Sequence, residues 1–200
     1  MKKGVFIVFE GGEKVGKTTQ IKLLKEYLDK KGHSVVASKE PGGGDPAIRE
    51  KLLAIGATLT REKELELFCE DRNLHIQNLI KPSLAEGKIV VLDRFDHSTI
   101  AYQGYGRGMP IPLLKEKITE VRNGLQPDLV ILLDADPTDV LSREEATSRF
   151  DAEKMDFHKR VRQGFLAQAE EDPMHWRVVD ASKPLEEVWQ GVKKQVDKVV

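Results

Sequence analysis

The first residues that could carry chemistry form a glycine-rich segment directly after an apolar N-terminal run. Gly11 and Gly16 enclose four residues and are followed by Lys17 and Thr18, which is the P-loop pattern for binding phosphate groups. Glycines allow successive backbone N–H groups to point at phosphate oxygens, the lysine adds positive charge, and the hydroxyl can ligate Mg²⁺. The residues predicted to line this site are Gly11, Gly12, Glu13, Lys14, Val15, Gly16, Lys17, Thr18 and Thr19.

A second candidate site begins where Asp93 and Arg94 follow four apolar residues. In a chain with a P-loop pattern, an aspartate in this position is placed to act through Mg²⁺ or its water shell. Arg94 offers a planar fork of donors that suits a phosphate. The alternative for these two residues is a surface ion pair. Asp134 also ends an apolar run, and we expect it to cap the helix after Pro137 rather than to bind a metal.

These sites need a scaffold that brings the ends of apolar segments together. Strands are predicted at 4–10, 34–39, 88–93, 128–134 and 176–180, and helices at 17–31, 45–55, 62–86, 95–104, 111–123, 137–147, 153–171 and 184–199. Pro82 predicts a kink or break in the third helix. The alternation predicts a doubly wound α/β fold, with a parallel five-stranded sheet flanked by helices. Ligands of such folds bind at the carboxyl ends of the strands, where both candidate sites lie.

The composition argues against several classes of partner. Lys and Arg total 32 against 33 Asp and Glu, so no basic field is available for a nucleic-acid polymer or an anionic membrane. No segment approaches the ~18 consecutive apolar residues of a membrane span. The chain enters its first strand without a signal-peptide pattern, and its one cysteine, Cys69, suits a reducing compartment. We therefore expect a cytoplasmic protein.

Several further blocks, spread over nearly the whole chain, carry a family pattern. They are the P-loop segment through Gln20; Lys39-Glu40-Pro41-Gly42-Gly43; Glu66-Leu67-Phe68 with Arg72; Asp93-Arg94-Phe95-Asp96-His97-Ser98-Thr99-Ile100-Ala101-Tyr102-Gln103-Gly104; Arg149-Phe150-Asp151; and Phe157 with Arg160-Val161-Arg162 and Gly164-Phe165. In this order they resemble the thymidylate kinase family. The resemblance implies one P-loop kinase domain over 1–200 with a small lid at about 143–153. It also implies ATP and dTMP as substrates, dTDP as product, Mg²⁺ as cofactor and a homodimer.

The resemblance also implies a pocket for dTMP. Arg49 and Arg94 match the ligands of the acceptor phosphate, Phe68 matches the aromatic face for the base, and Tyr102 matches a residue near the sugar. The full implied set is Glu13, Arg49, Phe68, Arg72, Arg94, Ser98, Thr99, Tyr102 and Gln103. Without the family pattern, Phe68 and Tyr102 would be assigned to the core. Arg49 and Arg72 would be assigned to solvated helix faces.

The catalytic cations are where the chain departs from the family. Lys14 stands where the family carries arginine or glycine, and the lid keeps Arg149 but looks short and acidic. We expect Arg149 to be the main lid cation, with Lys14 assisting, and Arg143 to contact ATP. Gly44 replaces a common threonine, which predicts a looser loop. The implied catalytic residues are Lys17, Arg94, Arg149, Lys14 and Asp93, and the implied metal ligands are Thr18 and Asp93.

Three alternative functions and one assembly question stay open at this point. The chain could act on another nucleoside monophosphate or on a nucleoside. It could be a GTPase switch, although it lacks the Asn-Lys-x-Asp segment that reads guanine, or a nucleic-acid-handling ATPase, which the near-neutral charge disfavours. For the homodimer, Leu65, Phe68 and Leu79 could supply an apolar face, and they could equally belong to the protein's own core.

Overall fold

Five parallel strands form the centre of the protein, and the computed structural model describes residues 4–56, 58–141 and 148–200. The strands are β1 (Val5–Glu10), β2 (Val35–Lys39), β3 (Ile89–Asp93), β4 (Leu129–Asp134) and β5 (Trp176–Asp180). They lie in the order β2-β3-β1-β4-β5. The predicted parallel sheet and its five strands are confirmed, with strand ends that agree to within one residue.

The helices fill the connections between the strands. They are α1 (Lys17–Lys30), α2 (Pro46–Leu53), α3 (Arg61–His75), α4 (Lys81–Ala85), α5 (Asp96–Thr99), α6 (Ile111–Arg122), α7 (Pro137–Val140), α8 (Met155–Glu171) and α9 (Leu185–Val196). The predicted helix 137–147 is confirmed over Pro137–Val140, where α7 ends, and residues 142–147 lie outside the described ranges. In the described part of the chain, no helix combines the length and the apolar content needed to cross a membrane.

Two helices pass through π-helical turns. Ile76–Ile80 joins α3 to α4 and ends two residues before Pro82, and Ile100–Gly106 continues α5. Proline has no N–H to donate, and its ring displaces the carbonyl group one turn earlier, so a wider turn relieves the clash. The break predicted at Pro82 is therefore a local widening inside one continuous helical segment.

The sheet is buried on both faces. Phe6 and Val8 of β1 enter one apolar core together with α8, whereas Ile7 and Phe9 enter a second core with α1 and α9. This alternation follows from the pleat, because successive side chains of a strand point to opposite faces. It explains the near-continuous apolar strands and confirms helices on both faces of the sheet.

The register aligns the carboxyl ends of three strands. Phe9 lies opposite Asp93, and Asp93 lies opposite Lys39. The segments that follow β1, β2 and β3 therefore leave the sheet side by side. Both candidate sites begin in these segments.

The helix cap after β4 differs from the prediction. The carboxylate of Asp136, not that of Asp134, accepts the Thr138 N–H at 2.9 Å at the start of α7. Asp134 instead accepts two hydrogen bonds from Arg162, at 2.8 and 2.9 Å. The predicted cap at Asp134 is wrong because a bidentate pair with a guanidinium group already engages both carboxylate oxygens.

Candidate active site

The P-loop turns sharply between β1 and α1. Gly11 has a φ of 141°, and a Cβ there would lie 2.4 Å from the Leu133 carbonyl oxygen, so only glycine fits. Lys17 folds back over the loop and donates to the carbonyl oxygens of Gly11 at 3.2 Å and Gly12 at 2.7 Å. Burial lowers the pKa of Lys17 to about 8, and the positive charge of Arg94 adds to this fall. A bound anion would raise this pKa again by stabilising the charged form of the lysine.

The two predicted metal ligands are in direct contact. The Thr18 hydroxyl donates to Asp93 Oδ2 at 3.1 Å, because the register of β1 and β3 places the start of α1 beside the end of β3. Hydroxyl and carboxylate oxygens suit Mg²⁺, which in nucleotide sites keeps waters and binds the phosphates as well. The described residues contain no cluster of three or more His, Cys, Asp or Glu side chains that could hold a metal without such phosphates.

Arg94 links the P-loop to the second site. Its guanidinium donates to the carbonyl oxygens of Gly11 at 2.8 Å and Gly12 at 3.3 Å, and it pairs with Glu13 at 3.0 Å. Although burial opposes its charge, Glu13 raises the pKa of Arg94. The alternative considered from the sequence, a surface ion pair between Asp93 and Arg94, is not observed. Arg94 instead points inward and pairs with Glu13. Its backbone φ of 70° is a left-handed conformation that costs a non-glycine residue about 1–2 kcal/mol.

The carboxylate of Glu13 also accepts a hydrogen bond from the hydroxyl group of Tyr102. The two oxygens lie 2.6 Å apart, and the Tyr102 ring stacks under the Arg94 guanidinium at 5.0 Å. Although burial opposes its charge, Arg94 and Lys17 lower the pKa of Glu13. Three predicted residues, from the P-loop and from the segment after β3, therefore form one cluster that lines a cavity.

That cavity has a volume of about 190 Å³ and lies at the carboxyl ends of β2 and β3. It contains all nine residues implied for dTMP binding, together with residues from α2 and from the segment after residue 147. The lining residues are Glu13, Glu40, Pro41, Arg49, Leu53, Phe68, Arg72, Arg94, Phe95, Ser98, Thr99, Tyr102, Gln103, Ser148, Phe150 and Asp151. We refer to it as the acceptor cavity.

Arg72 is buried at the base of the acceptor cavity. It donates to Glu40 at 2.8 Å, to the Thr99 hydroxyl at 3.1 Å and to the Phe95 carbonyl oxygen at 3.3 Å. Although burial opposes its charge, Glu40 raises the pKa of Arg72. The assignment of Arg72 to a solvated helix face, made when the residue is considered without the family pattern, is therefore wrong. The side chain is only 2% exposed. The cost of burying its charge is offset because each of these contacts supplies a hydrogen-bond acceptor.

Sequence reasoning missed the residues that hold Arg72 in place. Glu40 also accepts from the His75 ring at 3.1 Å, and the other ring nitrogen lies 2.9 Å from the Ser38 hydroxyl. Glu40 could have been found from its place at the end of β2. His75 lies three residues after Arg72 on the same helix, so helical spacing puts both side chains on one face.

The loop after Glu40 is fixed by Asp71. Its carboxylate accepts the backbone N–H groups of Gly42 at 2.7 Å, Gly44 at 3.1 Å and Asp45 at 2.7 Å. A Cβ on Gly44 would lie 2.0 Å from the Asp71 carbonyl oxygen. The looser loop expected from Gly44 is therefore wrong, because the glycine lets the loop approach α3 closely enough to make these bonds.

Arg149 does not reach the P-loop in this structure. Its guanidinium binds Glu64 and the Leu52 carbonyl oxygen and lies 4.7 Å from the ring centre of Phe150. Arg149 thus lies behind the acceptor cavity, where Glu64 also accepts from Gln103 at 2.7 Å. Its predicted place over ATP is not observed, because a buried carboxylate holds it elsewhere. Arg143, the other predicted lid arginine, lies outside the described residues.

An open groove of about 880 Å³ runs along the P-loop. Lys14, at a φ of 58°, and Lys17 line it, together with Thr18 and Asp93. The residues shared with the acceptor cavity are Glu13, Glu40, Arg49, Arg94 and Asp151. Two sites therefore meet at a boundary that carries two arginines, which is the arrangement needed to bring two phosphate groups end to end.

Comparison with known proteins agrees with this geometry. The family model described as thymidylate kinase matches residues 9–192. The thymidylate kinase of Desulfovibrio desulfuricans is 42% identical over 197 residues, covering 92% of this chain and 91% of that protein. That of Dehalococcoides mccartyi is 43% identical over 197 residues, covering 96% and 95%. The crystal structure of the enzyme from Ehrlichia chaffeensis matches with a TM-score of 0.79 and 35% identity, covering 97% and 99%. The chain therefore belongs to the thymidylate kinase family of nucleotide-phosphorylating enzymes.

Proposed function

We propose that the protein transfers the terminal phosphoryl group of Mg·ATP to dTMP, with dTMP in the acceptor cavity and ATP along the P-loop groove. The observation that carries this placement is the shared boundary of the two spaces at Glu13, Arg49 and Arg94. An acceptor phosphate held there lies next to the end of the P-loop where the last phosphate of ATP would bind. The whole chain acts as one catalytic domain in this proposal.

The acceptor phosphate is the nucleophile, so the site needs position and positive charge rather than a strong base. Arg94 is already oriented by Glu13 and by two P-loop carbonyl oxygens, so it loses little freedom when a phosphate arrives. Arg49 donates to the Pro41 carbonyl oxygen at 2.6 Å and leaves further N–H groups for the same phosphate. These two arginines bring the attacking oxygen into line.

Lys17 and the P-loop amides stabilise the negative charge on the transferred group. In the structure Lys17 uses the carbonyl oxygens of Gly11 and Gly12 as partners, and ATP phosphates would replace them. Mg²⁺ bound through Thr18, Asp93 and the phosphates would supply further positive charge. Lys14 lines the same groove, and we propose it as the second P-loop cation.

Burial of the base and sugar keeps water away from the reaction. Phe68 and Phe150, with ring centres 6.3 Å apart, form one wall of the acceptor cavity, and Tyr102 lies against Phe150 at 5.6 Å. Since water competes with dTMP for the phosphoryl group, aromatic walls suppress wasteful hydrolysis of ATP. Arg149 contributes from behind this wall, through Glu64.

The test is the release of ADP with Mg·ATP and a panel of dTMP, dUMP, dCMP, dGMP, AMP and thymidine. Turnover with dTMP, weaker turnover with dUMP and none with thymidine is the expected result, because the two boundary arginines require a phosphorylated acceptor. Higher activity with another acceptor would mean that the base-side residues are misassigned, leaving only the ATP site.

We further propose a cytoplasmic homodimer, as the family resemblance implies. Of the apolar face offered by the sequence, Leu65 is buried in the protein's own core, whereas Phe68 and Leu79 pack against the core and stay partly exposed. A dimer interface on these helices could therefore include Phe68 and Leu79 but not Leu65. Sedimentation equilibrium of the purified protein tests this: a mass of twice 22.5 kDa supports the dimer, and a single-chain mass contradicts it.

A further inference from the structure

Gln103 is a buried amide whose orientation is fixed from behind. It lies in the π-helical turn after α5, is 1% exposed and lines the acceptor cavity. Its Nε2 donates to Glu64 Oε1 at 2.7 Å. A carboxylate can only accept hydrogen bonds, so the amide must present its nitrogen to Glu64. The amide oxygen, on the other side of the group, is then left for the cavity that Gln103 lines.

The carboxylate of Glu64 is itself held in one position. Arg149 binds its second oxygen, and Arg107 Nε lies 3.6 Å from the first. Glu64 is 2% exposed, so this carboxylate would be costly without its two guanidinium partners. A chain of contacts therefore runs from Arg149, in the segment predicted to form the lid, through Glu64 to Gln103.

Arg72 and Gln103 present different hydrogen-bonding groups to the cavity. Arg72 has five N–H donors and no acceptor, and three of its contacts in the structure go to Glu40, Thr99 and Phe95. It can therefore offer only donors to a ligand. Gln103, with its nitrogen committed to Glu64, offers only an acceptor.

This pair fits one edge of a pyrimidine and rejects another. Thymine and uracil carry an acceptor oxygen at position 4 and an N–H donor at position 3. Cytosine carries an amino donor at position 4 and a bare acceptor nitrogen at position 3. An acceptor from Gln103 beside a donor from Arg72 matches the first pattern and opposes the second at both positions.

We propose that Glu64 is a positioning residue for base selection: it locks the Gln103 amide with its oxygen toward the cavity, so that the site accepts an N3–H pyrimidine and rejects cytosine. This inference rests on the proposed function, since it places the base of the nucleotide in the acceptor cavity. Arg149 takes part by holding the Glu64 carboxylate. Glu64 does not touch the substrate in this arrangement.

The test is Glu64→Gln, which replaces an obligate acceptor by an amide that can donate or accept. The Gln103 amide is then free to turn over and present its N–H₂ group to the base. We expect kcat/KM for dTMP to fall relative to that for dCMP by about tenfold, the factor associated with one net hydrogen bond. The KM for ATP should stay unchanged. Glu66→Gln is the matched control, because Glu66 lies on the same helix with its side chain 66% exposed.

Two results would contradict the proposal, and they do so at different levels. A wild-type enzyme without preference for dTMP over dCMP would overturn the proposed function itself. A wild-type preference that Glu64→Gln retains in full would overturn the role of Glu64 while leaving the proposed function standing. Since Arg72 is present in both enzymes, its own discrimination cancels in the comparison. If Glu64→Gln does not fold, Glu64→Asp answers the question, because it keeps the charge for Arg149 but withdraws the oxygen from Gln103.

A double-mutant cycle shows whether Glu64 acts through Gln103 or only through stability. Gln103→Met removes the amide and keeps an unbranched side chain of similar length. If Glu64 acts through Gln103, adding Glu64→Gln to Gln103→Met leaves the ratio of dTMP to dCMP activity unchanged. Additive effects of the two substitutions on that ratio would contradict the proposal. Thermal unfolding of all four proteins provides the stability scale.

Discussion

The acceptor cavity and the P-loop groove meet at one boundary but are built in opposite ways. The cavity is narrow, about 190 Å³, and its polar side chains are already joined to each other: Arg72 to Glu40, and Gln103 to Glu64. The groove is about 880 Å³, and its main cation, Lys17, rests on loop carbonyl oxygens that ATP would displace. In the proposed function, specificity for dTMP thus comes from side chains fixed before binding, whereas ATP meets a site that rearranges locally.

The two buried cations show what this difference means for stability. Arg72 is compensated by Glu40, whereas burial and Arg94 lower the pKa of Lys17. The acceptor side is therefore expected to stabilise the fold, while the donor side is expected to lower its stability in favour of phosphate binding.

The largest effect is expected from Arg72→Met. It leaves the buried Glu40 carboxylate without its guanidinium partner, which should lower the free energy of unfolding by about 3–5 kcal/mol. Urea denaturation measures this change, and the exposed Arg61→Met on the same helix is the control. A loss below about 1 kcal/mol would mean that His75 alone satisfies Glu40, and that the acceptor cavity is less tightly built than the geometry indicates.

Lys17→Met should stabilise the fold, in contrast to Arg72→Met, and should severely reduce activity. Loss of the cation on the transferred phosphoryl group should lower kcat by about 10²–10³-fold. The melting temperature should rise, because a buried charge with a lowered pKa is replaced by an apolar side chain. Steady-state kinetics and calorimetry test both parts, with the exposed Lys22→Met as control. A variant that is less stable and still active would contradict the view that the P-loop groove lowers stability in favour of phosphate binding.

The pH dependence of ATP use should follow Lys17. In the free enzyme its pKa is about 8, so kcat/KM for ATP should fall about tenfold by one pH unit above that value. The stability trend has the other sign. Between about 8 and 10.5 the unfolded lysine holds a proton that the folded one has lost, so this group makes unfolding less favourable as the pH rises. A kcat/KM for ATP that stays level to pH 9.5 would show that the cation is not required.

The smallest of these effects is expected from Phe68→Ala. Loss of the aromatic wall should raise the KM for dTMP about three- to tenfold and leave the KM for ATP unchanged. Leu79→Ala is the matched control, since Leu79 packs against the same core without lining the cavity. Equal rises in both KM values for Phe68→Ala would mean that the ring serves the core and not the substrate.

The fold was predictable because its signals are local. Apolar runs such as Ile89-Val90-Val91-Leu92 predict strands that are buried on both faces. The alternation of these strands with helices indicates a parallel sheet. The P-loop contacts were predictable for the same reason, since the motif is continuous in sequence. Thr18 and Asp93 could be paired only by adding the rule that strand ends meet at one edge of the sheet.

The supporting contacts of the acceptor cavity were not predictable in this way. From the sequence, Glu64, Asp71 and His75 are ordinary polar residues of one helix. Their partners lie 26 to 85 residues away along the chain. The partner of Arg149 could not be predicted either. Its sequence block suggested a contact with ATP, but in the structure it binds the Glu64 carboxylate, 85 residues away along the chain. Motifs record which residues occur together, but pairings between segments depend on how the helices pack.

The loop held by Asp71 has a consequence for which glycine-rich turns can bind phosphate. The loop directs several backbone N–H groups at one point, as anion-binding nests do, and a glycine-rich P-loop motif can present its N–H groups in the same way. In the loop after β2, that point is already occupied by the protein's own carboxylate, which accepts from Gly42, Gly44 and Asp45. An internal anion therefore fills this turn and leaves it unable to hold a phosphate. The P-loop remains the site that we propose for the triphosphate of ATP.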